Sequence, residues 1–410
     1  MGFLEDVGAW IARQRWYAGK GHAPRFRILD AQVAPQATRY LVMDDAGERP
    51  TLYQVPLALG DGAAEEVVAD AAGALVDATH HHDFVVGMLA EMGVDTARVS
   101  GSRVLTGEQS NTSIVVDEDG APTIIVKLFR TLHHGENPDV TVQRALSAAG
   151  SPFVPRFLGS LAAEWPDVGR ESGRATGTIA FAQEFLPGVR DGWSIAVEAA
   201  RDGRDFTDAA RDLGVAVAGV HAALAAALPT READPTDAAA VEAIWLARLD
   251  IACAEVPAVA ERRREIEGVY AAALGSTPPL LQRIHGDLHL GQVLAVPDGG
   301  WRLVDFEGEP LRPMEERDNP DVPLRDVAGM LRSFDYASAV GAAPDPAGWA
   351  RACAVAFLDA YAAAPGTTPL DPVLLRALVL DKAVYESIYE ARNRPDWLHI
   401  PVSGIDAALS

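Results

Sequence analysis

Cysteine is nearly absent: the 410 residues contain two, Cys253 and Cys353, with no CxxC pair and no Cys/His spacing. A disulfide framework and a structural zinc site are therefore not expected. Positive charge is scarce too, with 35 Lys and Arg against 58 Asp and Glu, a formal net charge of −23. Such a surface repels nucleic acid and anionic lipid, so neither is an expected partner, and an anionic ligand needs locally placed cations. No uninterrupted apolar run reaches about eighteen residues, the minimum for a membrane-crossing helix. Residues 1–19 carry Phe3, Leu4, Val7, Trp10 and Ile11 at helical spacing, interrupted by Glu5 and Asp6. That reads as an amphipathic helix and not as a secretory signal. These absences lead to the expectation of a cytoplasmic protein without a membrane or nucleic-acid partner.

What is present is an ordinary globular composition, 49% hydrophobic and 23% charged, long enough for two or three units each burying a core. Residues 1–100 read as a small α+β unit, with strands at Arg39–Met43 and Leu52–Leu57. Residues 101–188 add strands at Thr112–Val116, Thr123–Phe129 and Ile179–Phe185, and a helix from Pro138. From 189 to 410 the chain is rich in Ala and Leu at a 3.6-residue period, broken at Pro229–Thr236, Gly275–Pro279 and Pro365–Pro369. It reads as a helical region. The fold class expected is α+β.

Chemistry concentrates in His285-Gly286-Asp287-Leu288-His289-Leu290-Gly291-Gln292 and in Asp305-Phe306-Glu307-Gly308. Val293–Val296 and Arg302–Val304 read as two short strands joined by Pro297-Asp298-Gly299-Gly300, a hairpin with a carboxylate at each end. Phosphoryl transfer needs a carboxylate to take the acceptor hydroxyl's proton and oxygen ligands to hold Mg²⁺ on the nucleotide phosphates. Asp287 suits the first task. Gln292 stands where H-R-D-x-x-x-x-N places its metal-binding Asn, and Asp305 where D-F-G places its Asp, so both suit the second. Glu307 and Glu309, close to Asp305, extend the metal site, contact substrate or form a loop salt bridge.

Lys127, inside the apolar strand Ile124–Phe129, reaches nucleotide phosphates or snorkels to water as an edge-strand lysine. The polar turn Gly107–Ser113, with Ser110, Asn111 and Thr112, covers phosphates or is an ordinary hairpin turn; it lacks G-x-G-x-x-G. H-x-D-x-H at His285, Asp287 and His289 also resembles a metal-hydrolase ligand set. A hydrolase, however, has no use for Lys127 or for the second Asp-Phe turn. His80–His82 and the pair His133-His134 are read as solvated surface, since adjacent side chains diverge. Tyr385, Glu386, Tyr389, Glu390, Arg392, Arg394 and Trp397 have the aromatic and charged character of a sugar site, or are helix packing with surface charge.

The chain resembles the actinobacterial maltokinase-like sugar kinases, which are related more distantly to aminoglycoside phosphotransferases and choline kinases. The resemblance spans most of the sequence: Gln14–Gly19, Glu108–Ser113, Lys127–Arg130, Asn137-Pro138-Asp139, His285–Gln292, Asp305–Pro310, Pro323–Phe334, Asp381–Glu386 and Asn393–Trp397. It implies a bilobal kinase-like fold, also described as aminoglycoside-phosphotransferase-like, with an N-terminal cap (1–100), a nucleotide-side lobe (101–188, hinge near 183–186) and a mainly helical lobe (189–410). It implies ATP and Mg²⁺, with Asp287 as base, Gln292, Asp305 and Glu307 as metal ligands and Lys127 as phosphate clamp. Gln183, Glu184 and Phe185 take the adenine, while His289, Tyr385, Glu386, Glu390, Arg394 and Trp397 take the sugar.

Two departures stand out. Family members usually carry a Glu soon after Asn-Pro-Asp to pair with the strand lysine, whereas here Val140-Thr141-Val142 follows, so Lys127 pairs with Asp139 or waits for nucleotide. The segment between hinge and catalytic loop also looks shorter than in maltokinases. A smaller pocket suits a monosaccharide, and its carboxylates suit an ammonium group. Glucosamine phosphorylated at its 6-hydroxyl is therefore expected, with maltose phosphorylated at its anomeric hydroxyl as the alternative and a non-catalytic nucleotide or sugar sensor as a remote one.

Overall fold

The computed structural model describes all residues except 1, 48, 61–65, 71–72, 106–110, 276–278, 310–313 and 368. Its contacts divide the chain into two units, Met1–Thr141 with Pro155–Pro187, and Val142–Val154 with Gly188–Ser410.

The first unit opens with α1 (Phe3–Arg13), whose Val7, Trp10 and Ile11 are buried. The helix stops short of residue 19. Gln14 turns extended, and Trp16 and Tyr17 leave the helical path to pack on Tyr53 at ring separations of 5.7 Å, with the Tyr17 hydroxyl donating to Asp44 at 2.7 Å. Strands β1 (Phe26–Ala34), β2 (Ala37–Asp44), β3 (Thr51–Leu59), β4 (Glu66–Asp70) and β5 (Gly73–Asp77) form an antiparallel sheet in the order β1-β2-β3-β5-β4. After α2 (His82–Glu91) come β6 (Val99–Val104), β7 (Asn111–Glu118), β8 (Ala121–Phe129) and the short β9 (Thr131–Leu132), which joins β3. α3 (Pro138–Ala148) follows, then β10 (Phe157–Pro166) and β11 (Arg174–Glu184), completing a second sheet ordered β10-β11-β8-β7-β6.

The two faces of β8 have different uses, because successive side chains alternate. Ile124, Val126 and Leu128 enter a core with Phe84, Val85, Met88 and Leu89 of α2. Ile125, Lys127 and Phe129 take the other face. Between β8 and β9, the buried Arg130 pairs with Asp77, donates to Thr112 Oγ1 at 2.7 Å and lies 4.9 Å from the Trp16 ring, binding the first sheet to the end of the second.

The second unit is mostly helical: α4 (Gly192–Arg201), α5 (Thr207–Ala227), α6 (Pro235–Glu255), α7 (Pro257–Glu261), α8 (Arg263–Leu274), α9 (Met314–Arg317), α10 (Leu324–Val340), α11 (Pro346–Ala363), α12 (Pro372–Asn393) and α13 (His399–Leu409). β12 (Arg190–Asp191) edges the hairpin described below, and β13 (Arg231–Glu232) pairs β14 (Leu280–Leu281). α5 has the length and apolarity of a membrane-crossing helix, but it is a core helix: Ala210, Leu213, Val217, His221 and Leu224 are buried. At Gly214 an added Cβ would lie 2.3 Å from the Phe357 carbonyl of α11, so glycine there permits close helix packing.

Candidate active site

In the second unit the expected hairpin forms. β15 (Val293–Ala295) pairs β16 (Trp301–Leu303) in the register Val293 to Leu303 and Ala295 to Trp301, and Gly299 and Gly300 take positive φ in the turn. The ladder continues through Val304 N–H to Gln292 carbonyl at 3.0 Å, which sets the two flanking side chains side by side: Gln292 Nε2 donates to Asp305 Oδ2 at 3.0 Å. Asp305 has φ of 68°, a left-handed conformation costly for a residue with a Cβ, held here by the hairpin on one side and the Gly308 turn (φ 75°) on the other. One carboxylate oxygen of Asp305 and one of Glu307 lie within 4.8 Å of each other. Gln292, Asp305 and Glu307 thus offer an all-oxygen donor set, the chemistry a hard divalent cation such as Mg²⁺ prefers.

Asp287 sits on a loop fixed from beneath. The buried Asp326 of α10 accepts from the backbone N–H groups of His285 (2.7 Å) and Gly286 (2.9 Å), and its Oδ2 also meets His221 Nε2 at 3.0 Å. Burial opposes ionisation of Asp326, but the hydrogen bond from His221 and those from the loop hold its carboxyl below the usual range. His285 Nε2 donates to the Val304 carbonyl at 3.0 Å, so loop and hairpin are locked together; its ring also packs at a tilt against Phe306, centroid to centroid 4.7 Å. His285 therefore has a structural use. His289 Nδ1 accepts from Gly291 N–H at 2.9 Å, and burial pushes this histidine below its ordinary value, which keeps it neutral. Gly286, at φ 86°, could not carry a Cβ without crowding Gly308 Cα at 3.2 Å.

The Asp287 carboxylate has a partner that sequence reasoning missed. Lys382 of α12 donates to Oδ1 at 3.2 Å. Burial raises the Asp287 pKa, but the charge and hydrogen bond of Lys382 oppose it, and the carboxyl stays below its ordinary value, ionised near neutrality. The Asp381-Lys382 pair lay within the resembling segment, yet nothing local marks Lys382 as facing Asp287.

The expected sugar residues divide into two groups. Tyr385 turns toward Arg248 and Lys382, whose cations lie 5.1 and 5.3 Å from its ring centroid. Glu386 accepts twice through Oε2 from the buried Arg332 of α10, at 2.7 and 2.9 Å, while Glu390 accepts from Arg394 and from the Tyr336 hydroxyl. Arg394 stacks on Trp397 at 4.3 Å. Lys382, Glu386 and Glu390 recur every four residues and form one stripe of α12, so a single helix face runs from the Asp287 partner into this cluster. Arg332, Asp335 and Tyr336 belong to it and were not singled out from sequence.

In the first unit, Lys127 Nζ meets Asp139 Oδ2 at 2.9 Å, with Asp139 buried. Asp139 thus fills the place of the usual glutamate, and Thr141 instead donates to Glu136 at 2.8 Å. Cross-strand partners share a face, and Lys127 lies opposite both Ser113 and Phe181. Asn111 and Gln183 fall on this same face. Thr112, opposite Leu128, and Glu184, opposite Ile124, fall on the other. Thr112 Oγ1 is taken by Arg130, and Glu184 accepts from Arg156 N–H at 3.2 Å. Phe185 N–H donates to the Thr123 carbonyl at 2.8 Å. Ser110 lies outside the described residues. A pocket lined by Val94, Glu118, Ile124, Leu158, Glu184 and Phe185 opens on the α2 side, away from Lys127.

Residues 10–86 match the maltokinase N-terminal cap domain, and residues 102–367 match the phosphotransferase enzyme family. The chain belongs to that family. A glucosamine kinase of Streptacidiphilus jiangxiensis is 34% identical, with 93% of this chain and 87% of the relative covered. One from Mycolicibacterium smegmatis (strain ATCC 700084 / mc(2)155) is 31% identical over 85% and 88%. A solved structure described as glucosamine kinase in complex with glucosamine, ADP and inorganic phosphate superposes with a TM-score of 0.72 at 25% identity, covering both chains completely. The fold is the α+β kinase-like fold of this family, with antiparallel sheets toward the N-terminus and helices toward the C-terminus.

Proposed function

We propose that this protein is an ATP- and Mg²⁺-dependent glucosamine kinase that forms glucosamine 6-phosphate. The observation that carries the reading is the likeness to glucosamine kinases along nearly the whole chain, cap included. The α12 stripe supports it: Arg332 engages only Oε2 of Glu386, which leaves Oε1 as an acceptor for a sugar ammonium or hydroxyl. Maltose phosphorylated at its anomeric hydroxyl is the second reading, favoured by the maltokinase cap match at residues 10–86. Residues 1–100, 101–188 and 189–410 serve in our reading as cap, nucleotide-side lobe and acceptor-side lobe.

In this mechanism Asp287 accepts a hydrogen bond from the acceptor hydroxyl, orients it in line with the γ-phosphoryl group and takes its proton as the new P–O bond forms and the bond from the γ-phosphorus to the β,γ-bridging oxygen breaks, with ADP leaving. Its depressed pKa keeps it in the accepting form. Lys127, oriented by Asp139, binds the nucleotide phosphates. Gln292, Asp305 and Glu307 would hold Mg²⁺, which would supply positive charge against the charge developing on the phosphates. Gln183, on the Lys127 face, and the Glu184-Phe185 backbone lie toward the adenine. His289, Tyr385, Glu390, Arg394 and Trp397 shape the sugar side.

The test is ATP consumption with Mg²⁺ across glucosamine, glucose, maltose and N-acetylglucosamine, with the phosphorylated carbon assigned by NMR. Glucosamine-selective turnover to the 6-phosphate is expected. Maltose turnover to the 1-phosphate would replace the reading with its alternative.

A further inference from the structure

The backbone around Asp287 is held by Asp326 and His285, but those contacts do not restrain its side chain. The Asp287 N–H reaches His285 Nδ1 only at 3.4 Å, and the Asp326 bonds go to residues 285 and 286. The terminal torsion of an aspartate is broad and roughly two-fold, so backbone placement alone leaves the two oxygens free to exchange. Among the described residues, the side-chain hydrogen bond to Asp287 comes from Lys382, at 3.2 Å to Oδ1. We propose that Lys382 positions Asp287 for the transfer, its ammonium clamping Oδ1 so that Oδ2 is the oxygen presented to the acceptor hydroxyl. This deepens the kinase reading above and rests on it.

The clamp is itself anchored. Its neighbour Asp381 is buried and ion-paired with Arg248 of α6, and Ala383 and Val384 are fully buried, so α12 cannot rotate locally. The Lys382 ammonium also lies 5.3 Å from the Tyr385 ring centroid. The space behind the carboxylate, lined by Arg248, Leu288, Arg325, Asp381 and Lys382 among others, is a cavity of about 20 Å³. That is the size of one water molecule and too small for a phosphate or carboxylate to enter and compete for the cation. The groups facing Asp287 are Lys382 and Tyr385 from α12, His285 and His289 from its own loop, and Arg317 from α9. Of these, Lys382 is the one that hydrogen-bonds the carboxylate.

The experiment compares Lys382→Met, Lys382→Gln and Lys382→Arg with the unaltered protein, by steady-state kinetics over pH and by thermal melting. In parallel, the Asp287 carboxyl is titrated in ¹³C-aspartate-labelled protein without sugar or nucleotide, its signal assigned with Asp287→Asn. Removing the clamp should lower kcat by about tenfold to a hundredfold, as small misplacements of a reacting group do. KM for ATP and the melting temperature should stay unchanged. The acid-side inflection of kcat/KM and the Asp287 carboxyl titration should both move to higher pH, and Lys382→Arg should recover most of kcat. A raised sugar KM with kcat and the inflection in place would make Lys382 a sugar contact and overturn the proposal. An Asp287 titration unchanged in Lys382→Met would overturn it as well. Absence of turnover by the unaltered protein on every sugar would defeat the kinase reading instead, and the carboxyl titration would still decide on Lys382.

Discussion

Each unit of the chain carries one lysine–carboxylate pair at its candidate site, and the two are built oppositely. In the first unit Lys127 lies on a strand and the partner Asp139 is buried at the start of α3, with a separation of 2.9 Å. In the second unit the carboxylate Asp287 lies on a loop and the partner Lys382 is carried by a long helix, with a separation of 3.2 Å. In the proposed reaction the lysine is the working member of the first pair and the carboxylate of the second. The supporting member is in each case the one borne by a helix, whose regular backbone fixes a side chain more firmly than a loop does. The strand and the loop remain open to substrate, and the partner sets charge and orientation.

The contrast is broken most severely by Asp287→Asn, which keeps shape and removes proton acceptance. Turnover should fall by about 10²–10⁴-fold with melting unchanged, measured by ATP consumption; a rate like that of the unaltered protein would remove Asp287 from the mechanism. Lys127→Met should come next, lowering kcat/KM for ATP by about 10²–10³-fold while leaving the sugar KM close to its original value. A smaller effect is expected from Asp326→Asn, which would set an amide donor against one of the His285 and Gly286 N–H groups while its oxygen still accepts from the other. It should cost about 1–3 kcal/mol in chemical denaturation, because a buried donor loses its acceptor. Asp326 has a depressed pKa in the folded protein, so its contribution is present above its unfolded value of about 3.9 and is lost as pH falls through the lower folded value. The Asn variant should therefore lose less stability on acidification than the unaltered protein. Smallest of all should be Asp139→Asn, which keeps Lys127 and loosens it. Its kcat/KM should drop less than that of Lys127→Met, and equal losses would mean that the pair works only as a unit.

Much of this site was legible before any coordinates. The hairpin, the Gln292–Asp305 juxtaposition, the strand around Lys127 and the helix from Pro138 all follow from local alternation, turn glycines and motif spacing. The choice of Asp139 as the Lys127 partner was one of two open alternatives, and one turn of α3 decided it. The alternation of β7 and β11 is written in the sequence too: it sorts Asn111 and Gln183 onto the Lys127 face and Thr112 and Glu184 off it. The helix expected to run to residue 19 stops at Arg13, because burying Trp16 and Tyr17 against Tyr53 outweighs continuing the helix.

The sequence by itself determined how the proposed base and metal ligands are grouped, because Asp287, Gln292, Asp305 and Glu307 lie within about one hairpin's length and a short segment's pattern specifies its own geometry. Tertiary structure alone decided what supports that chemistry. Lys382 reaches Asp287 across 95 positions of chain, Asp326 reaches the loop across 41, and His221 reaches Asp326 across 105. Arg332 and Tyr336 each meet their carboxylates on α12 across 54. Contacts at such separations depend on which faces of the helices pack together, and a 3.6-residue period says that a face exists without saying what lies opposite it.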